Sequence, residues 1–147
     1  MTTLTLDAAS HIVDGALQRA VELKLKPMTV AVLDAGGHLV AFKRQDQSGI
    51  LRPDIALGKA WGTLGMGAGG RALAQRAAAA PAFYAALVGA SQGRVIPVAG
   101  GVLVLDTNRE ILGAVGVSGD LPDRDESCAI HGIELAGLLA GVGEINE

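Results

Sequence analysis

The spacing of hydrophobic and polar positions changes along the chain, and each change marks an element. Ile12, Val13, Ala16, Leu17, Ala20 and Val21 recur at helical spacing, which predicts a helix starting near Thr5. The Thr5 hydroxyl suits its N-cap, Asp7 is favourably placed in the first turn, and Pro27 bounds it. Short β-branched or apolar runs follow at 28–33 and 39–42. They are joined by Asp34-Ala35-Gly36-Gly37-His38, whose Gly-Gly pair supplies the positive φ angles of a tight hairpin. Residues 44–52 form a polar loop, and Pro53 then opens a second helix through Ile55, Ala56, Lys59, Ala60 and Trp61. The glycine-rich stretch 65–70 breaks that helix. Two short helices at 72–79 and 81–87 precede strands at 95–98, 101–105 and 111–117, with Asp106-Thr107-Asn108-Arg109 turning between the last two. A final helix has a capping-box signature, Asp123 with Glu126 three residues on. It carries Ile130, Ile133, Leu135, Ala136, Leu138 and Leu139 as far as Gly141. The predicted order is α-β-β-α-α-α-β-β-β-α, with helices at both termini. Two hairpin groups with short connections point to an antiparallel sheet.

Composition narrows this picture. A chain of 147 residues is one domain on size grounds, residues 1–147, large enough to bury a core. Half its residues are apolar but only 3% are aromatic, so that core is aliphatic and alanine-rich. The 21 glycines bury little area each, which favours subunit contacts and a homo-oligomer. A net charge of −3 without a basic run argues against nucleic acid as a partner. No segment reaches the ~20 apolar residues of a membrane span. The N-terminus has no signal-peptide pattern and the single Cys excludes an intrachain disulfide, so a cytoplasmic protein is expected.

Candidate chemistry concentrates in GAVGVSGDLPDRDESCAIHG, residues 113–132. An apolar strand runs into Ser118-Gly119, and Asp120, Asp123, Asp125 and Glu126 crowd the start of the helix carrying Cys128 and His131. Helix capping and the helix dipole account for two or three of the four carboxylates, and Asp125 or Glu126 remains to face a pocket. Their spacing does not fit a calcium loop, and no residue is assigned as a metal ligand. Gly116-Val117-Ser118-Gly119-Asp120 misplaces the second glycine of a nucleophile elbow, so Ser118 reads as a turn residue. Gly65, Gly67 and Gly70 match G-x-G-x-x-G, but a helix precedes them where a dinucleotide site needs a strand. Cys128 and His131, three apart on one helix face, could form a nucleophilic pair, although a buried packing role suits Cys128 better. His38 closes the hairpin turn, and Trp61 reads as a core or interface anchor. His11 sits beside the first apolar stripe, either as a surface residue or as an axial ligand for haem iron.

Taken together, VAVLDAGGHLVAFKRQD, DIALGKAW and GGVLVLDTNREILGAVGVSGDLPDRDESCAIHGI resemble the GlcG/HbpS-like haem-binding family, which includes the C-terminal domain of PduO-type corrinoid adenosyltransferases. The resemblance covers nearly the whole chain. It implies a profilin-like α/β/α sandwich with a five-stranded antiparallel sheet, and a dimer-based homo-oligomer up to tetramer or octamer. By motif position it also implies site residues at Arg44, Asp46, Lys59, Gly119, Asp125 and Glu126, with His11 in the helix where some members supply a histidine to haem. Two functions remain open. One is a small-ligand-binding protein holding haem or a related tetrapyrrole. The other is a small catabolic enzyme, in which Arg44 and Lys59 hold an anionic carbonyl or hydroxy-acid substrate while Glu126, Asp125 or His131 moves a proton. An accessory oligomer without a ligand is the third possibility.

Overall fold

The structure is a computed structural model that describes residues 3–145. Its elements are α1 (Leu6–Glu22), β1 (Thr29–Asp34), β2 (Leu39–Arg44), α2 (Arg52–Met66), α3 (Gly70–Ala79), α4 (Pro81–Ala90), β3 (Gly101–Leu105), β4 (Ile111–Ser118), α5 (Pro122–Leu135) and β5 (Leu139–Gly141). The strands form one antiparallel sheet in the order β2-β1-β4-β3-β5. Helices α1 and α5 cover one face and α2 the other, giving the α/β/α sandwich that the resemblance implies.

Strand alternation sorts the core into two sides. Val30, Val32, Val102, Val104, Val115 and Val117 point toward Ile12, Val13, Ala16, Cys128, Ala129 and Ile133 of α1 and α5. Leu33, Leu103, Leu105 and Ala114 point toward Ala60 and its neighbours in α2. Small residues set how closely the layers approach. A Cβ on Gly132 would lie 2.2 Å from the Ile12 carbonyl oxygen, so α1 and α5 cross backbone to backbone. A Cβ on Gly116 would lie 1.8 Å from the Ala56 carbonyl oxygen, so α2 rests directly on β4.

Several local expectations hold. Thr5 Oγ1 accepts from the Ala8 N–H at 3.0 Å and caps α1. Pro53 sits in the first turn of α2, and the 34–38 hairpin closes with Asp34 Oδ1 accepting from the Gly36 and His38 N–H groups. Only Gly37 of the glycine pair uses a positive φ, +83°. Helix α2 ends on Gly67 in the left-handed region, and α3 follows without an intervening strand, so the glycine-rich stretch is a helix break.

Three expectations are corrected. Residues 95–98 form no strand, because Pro97 has no N–H to give a ladder. The Ile96 N–H instead donates to the Gly58 carbonyl of α2 at 3.2 Å, and the Val98 N–H to the Ile96 carbonyl at 2.9 Å. The chain also closes on a strand, not a helix. Gly137 takes a φ of +77°, the Leu138 N–H turns back to the Ile133 carbonyl at 3.1 Å, and β5 pairs with β3 as the fifth strand. Finally, Asp123 is exposed and caps nothing. The N-cap of α5 is Leu121, with Pro122 in the first turn and no side-chain cap bond.

Candidate functional site

At the end of the sheet where β4 runs into α5, the descent of α2 onto Gly116 carries Lys59 into the interior. Its Nζ donates to the Val117 carbonyl and to Asp125 Oδ2, each at 3.0 Å. The two side chains are 4% and 1% exposed. Gly100 makes room for the ammonium, since a Cβ there would lie 2.7 Å from Nζ and its φ of +113° suits glycine alone. Asp125 Oδ1 accepts from the Asp120 N–H at 2.9 Å, and the Gly119 N–H also holds the carboxyl. Gly119 itself tolerates no side chain, because a Cβ would lie 2.4 Å from the Pro27 carbonyl oxygen. Burial lowers the Lys59 pKa below its ordinary value against the pull of Asp125, with Arg52 adding to the lowering. Burial likewise raises that of Asp125 against the pull of Lys59. For both groups desolvation outweighs the partner's charge.

Further ionic groups surround this pair. Glu126, almost fully covered, takes a two-pronged contact from Arg71 of α3, through Nε to Oε2 at 3.3 Å and Nη2 to Oε1. Arg52 Nη1 donates to the buried Ser118 Oγ at 3.0 Å. Asp120 accepts from the Lys26 and Leu121 N–H groups and from Arg124, at 3.0, 2.7 and 3.0 Å. The Lys26 and Leu121 N–H groups hold its carboxyl down at about 2, with help from Arg124. Asp120 and Asp125 thus brace the loop ahead of α5, the work the sequence suggested for Asp123.

The structure joins Lys59 to Asp125 and packs Glu126 beside them, but gives Arg44 and Asp46 a different setting. Arg44 Nη1 donates to the Ser48 carbonyl at 2.6 Å, and both residues line a shallow hollow of about 520 Å³ with Leu25, Pro27 and Gln45. Two other hollows, of about 740 and 580 Å³, lie between the hairpin tips and beside Trp61. None of the three is lined by Lys59, Asp125, Glu126 or His131. Cys128 is fully buried and its thiol is pushed up to about 12, chiefly by burial, so it is not a thiolate nucleophile or ligand. His131 is half-buried, and its Nε2 is enclosed without a hydrogen-bond partner. His38 is exposed and bonded to Asp34. Among the described residues, no group of three His, Cys, Asp or Glu is placed to hold a metal ion, and no helix is long and apolar enough to cross a membrane.

His11 has a different geometry. Its side chain is 63% exposed on α1, and Nδ1 lies 2.7 Å from the Asp7 carbonyl oxygen. A carbonyl can only accept, so Nδ1 carries the proton, and the tautomer this selects leaves Nε2 as the acceptor nitrogen, without a hydrogen-bond partner among the described residues. One turn further along, Gly15 lies at the seam between α1 and α5, where a built Cβ would stand 2.9 Å from Gly132 Cα and 3.1 Å from Leu135 Cδ1. Leu135 is 55% exposed. Buried Gly15 lets the two helices meet, and an exposed imidazole on α1 and an exposed leucine on α5 flank their seam.

The HbpS-like family model, described as haem degrading protein HbpS-like, matches residues 4–134. The chain belongs to the HbpS-like family. A relative from Citrobacter freundii, an uncharacterized 15.0 kDa protein in the dhaT-dhaS intergenic region, is 28% identical over 129 residues, 88% of this chain and 89% of that one. Among solved structures, the Klebsiella pneumoniae protein ORFY is 28% identical with a TM-score of 0.83, covering 93% of this chain and 92% of its own. A double mutant of Streptomyces reticuli HbpS is 29% identical with a TM-score of 0.78, covering 92% and 88%. The PduOC:heme complex has a TM-score of 0.83 at 23% identity, covering 93% and 97%, a likeness of fold. The sandwich and its five-stranded antiparallel sheet are those of this HbpS-like group.

Sequence reasoning missed Arg52, Arg71 and the enclosed Ser118 as parts of the polar network around Lys59. Their partners lie 66, 55 and 66 positions away, so no local pattern records them. The only local hint was a basic residue in the first turn of a helix, at Arg52 of α2 and Arg71 of α3.

Proposed function

We propose that this HbpS-like protein binds haem or a related tetrapyrrole through His11 as the axial ligand to iron. The observation that carries the reading is the Nδ1 contact with the Asp7 carbonyl, which fixes the tautomer and leaves Nε2 of this exposed side chain as the donor to iron. Leu135, 55% exposed where α5 packs on α1, offers a macrocycle apolar cover. Neither the buried Cys128 nor the enclosed His131 competes as a donor. Bound there, haem would supply a Lewis-acidic, redox-active iron; the chain supplies the nitrogen, its orientation and one apolar wall. The second face of the macrocycle falls to another copy of the chain, in a dimer-based cytoplasmic oligomer. The acid–base enzyme reading has less support, since Lys59 and Asp125 are joined to each other and none of the three hollows reaches them.

The test is titration of the purified protein with hemin, followed at the Soret band. Saturable binding is expected for the wild type and for His38→Ala and His131→Ala, with the band altered or lost in His11→Ala. A titration without saturation, or an unchanged spectrum in His11→Ala, overturns the assignment.

A further inference from the structure

On the opposite face of the sheet from His11, a hollow of about 580 Å³ opens between α2, the β1–β2 hairpin and the turn after α4. Its apolar lining is Leu33, Leu39, Leu57 and Trp61. Arg94 closes one end. Its guanidinium carbon lies 4.1 Å from the centroid of the Trp61 ring, and its Nε donates to the Ser91 carbonyl at 2.9 Å. The side chain is therefore fixed by stacking and by one hydrogen bond. Among the described residues, its two terminal nitrogens have no hydrogen-bond partner, and no carboxylate lies within 4 Å of them. Among the described residues the Trp61 indole N–H has no hydrogen-bond partner either. Gly37 keeps it uncovered, since a Cβ there would lie 3.0 Å from Nε1.

Arg94 is presented by the turn that ends α4. Gln92 and Gly93 take successive φ angles of +58° and +80°, and both line the hollow. They close the C-terminus of α4, the Gln92 N–H donating to the Gly89 carbonyl at 3.1 Å and the Gly93 N–H to the Val88 carbonyl at 2.7 Å. That turn places the guanidinium over the indole ring, within the range of a cation–π contact. A stacked guanidinium keeps its in-plane N–H donors free, and those donors match a carboxylate fork. The volume falls within the usual range for small-molecule sites.

The far end differs in charge. Asp54, Leu57, Gly58 and Trp61 follow one another at helical spacing and all line the hollow, so exposed Asp54 stands about 10 Å along the α2 axis from Trp61. A second anionic group on a ligand would meet Asp54. We propose that this hollow binds a small organic monocarboxylate with an apolar body, its carboxylate on Arg94 and the Trp61 indole N–H, its body on Leu33, Leu39 and Leu57. The site is independent of haem binding, which uses the other face of the sheet.

Trp61 is the only tryptophan of the chain, so its fluorescence reports this hollow directly. Phenylacetate is the probe, added to the full chain without hemin. Saturable change in Trp61 emission is expected, with phenylacetamide, which lacks the charge, binding about tenfold more weakly or worse. Arg94→Gln should weaken phenylacetate by at least about tenfold, Arg94→Lys by less, and Asp54→Asn should leave it unchanged or tighten it. Arg94 is exposed, so circular dichroism should show both Arg94 variants folded. No saturable change up to about 10 mM, equal binding of phenylacetamide, or an Arg94→Gln affinity equal to wild type overturns the proposal. It is also overturned if sedimentation shows that Arg94→Gln dissociates an oligomer while phenylacetate leaves the wild-type emission unchanged; the hollow is then a contact between copies.

Discussion

Replacing Lys59 with methionine isolates the buried ion pair. Methionine keeps most of the aliphatic volume and removes the ammonium, leaving the Asp125 carboxylate 1% exposed with only the Asp120 and Gly119 N–H groups as partners. Breaking one side of a buried pair typically costs about 3–5 kcal/mol, and the two retained N–H bonds put this case near the lower end, about 3 kcal/mol. For a chain of this length that corresponds to a fall in Tm of roughly 10 °C. The deficit depends on pH. Burial already raises the Asp125 pKa above the ordinary 3.8, and loss of Lys59 removes the main group opposing it. A group raised in the folded state is harmless below its unfolded pKa and destabilising once pH has risen through the folded one. The Lys59→Met deficit should therefore grow as pH rises and shrink as pH falls toward the ordinary 3.8. The double variant Lys59→Met/Asp125→Asn removes both charges while the Asn oxygen still accepts the two N–H groups, and should return to within about 1 kcal/mol of wild type. Urea unfolding followed by Trp61 fluorescence and far-ultraviolet circular dichroism gives the values for wild type, Lys59→Met, Asp125→Asn and the double variant. A single-variant loss below about 1 kcal/mol, or a double variant as unstable as the sum of its singles, would refute the reasoning.

Two further outcomes follow from the same end of the sheet. Cys128, with its thiol pushed up to about 12, should resist a thiol reagent at mildly alkaline pH in the native protein and react in step with global unfolding; prompt labelling of folded protein contradicts its buried position. The Asp120 carboxyl should titrate near 2 by NMR. Because its pKa is depressed, its contribution to stability is complete above the ordinary 3.8 and disappears as pH falls through about 2; a midpoint near 3.8 would remove the bracing role argued for it.

Local chemistry was legible in the sequence where one residue dictates one geometry. Thr5 caps α1, Pro53 opens α2, and Asp34 with Gly37 turns the first hairpin. The sequence misled where a pattern continued past the physics that ends it. Leu138 and Leu139 extend the apolar spacing of α5, yet Gly137 at a φ of +77° has already turned the chain into β5. Val95, Ile96 and Val98 look like a strand, but Pro97 denies the ladder a donor and Gly58 takes the Ile96 N–H. The candidate site was half visible. The crowd of carboxylates before α5 was plain, and Asp125, Glu126 and Lys59 were all named for one site, though so was Arg44, which lies elsewhere on Ser48. Which carboxylate pairs with which cation was not plain, because those pairings depend on how far Gly116 lets α2 descend onto β4.

The measurement that tests the haem assignment most directly is the resonance Raman spectrum of the ferrous haem complex, prepared with and without isotopically labelled histidine. Ligation by His11 Nε2 predicts an iron–imidazole stretching band that shifts with the label and is absent from His11→Ala. A band that ignores the label, or survives in His11→Ala, contradicts it.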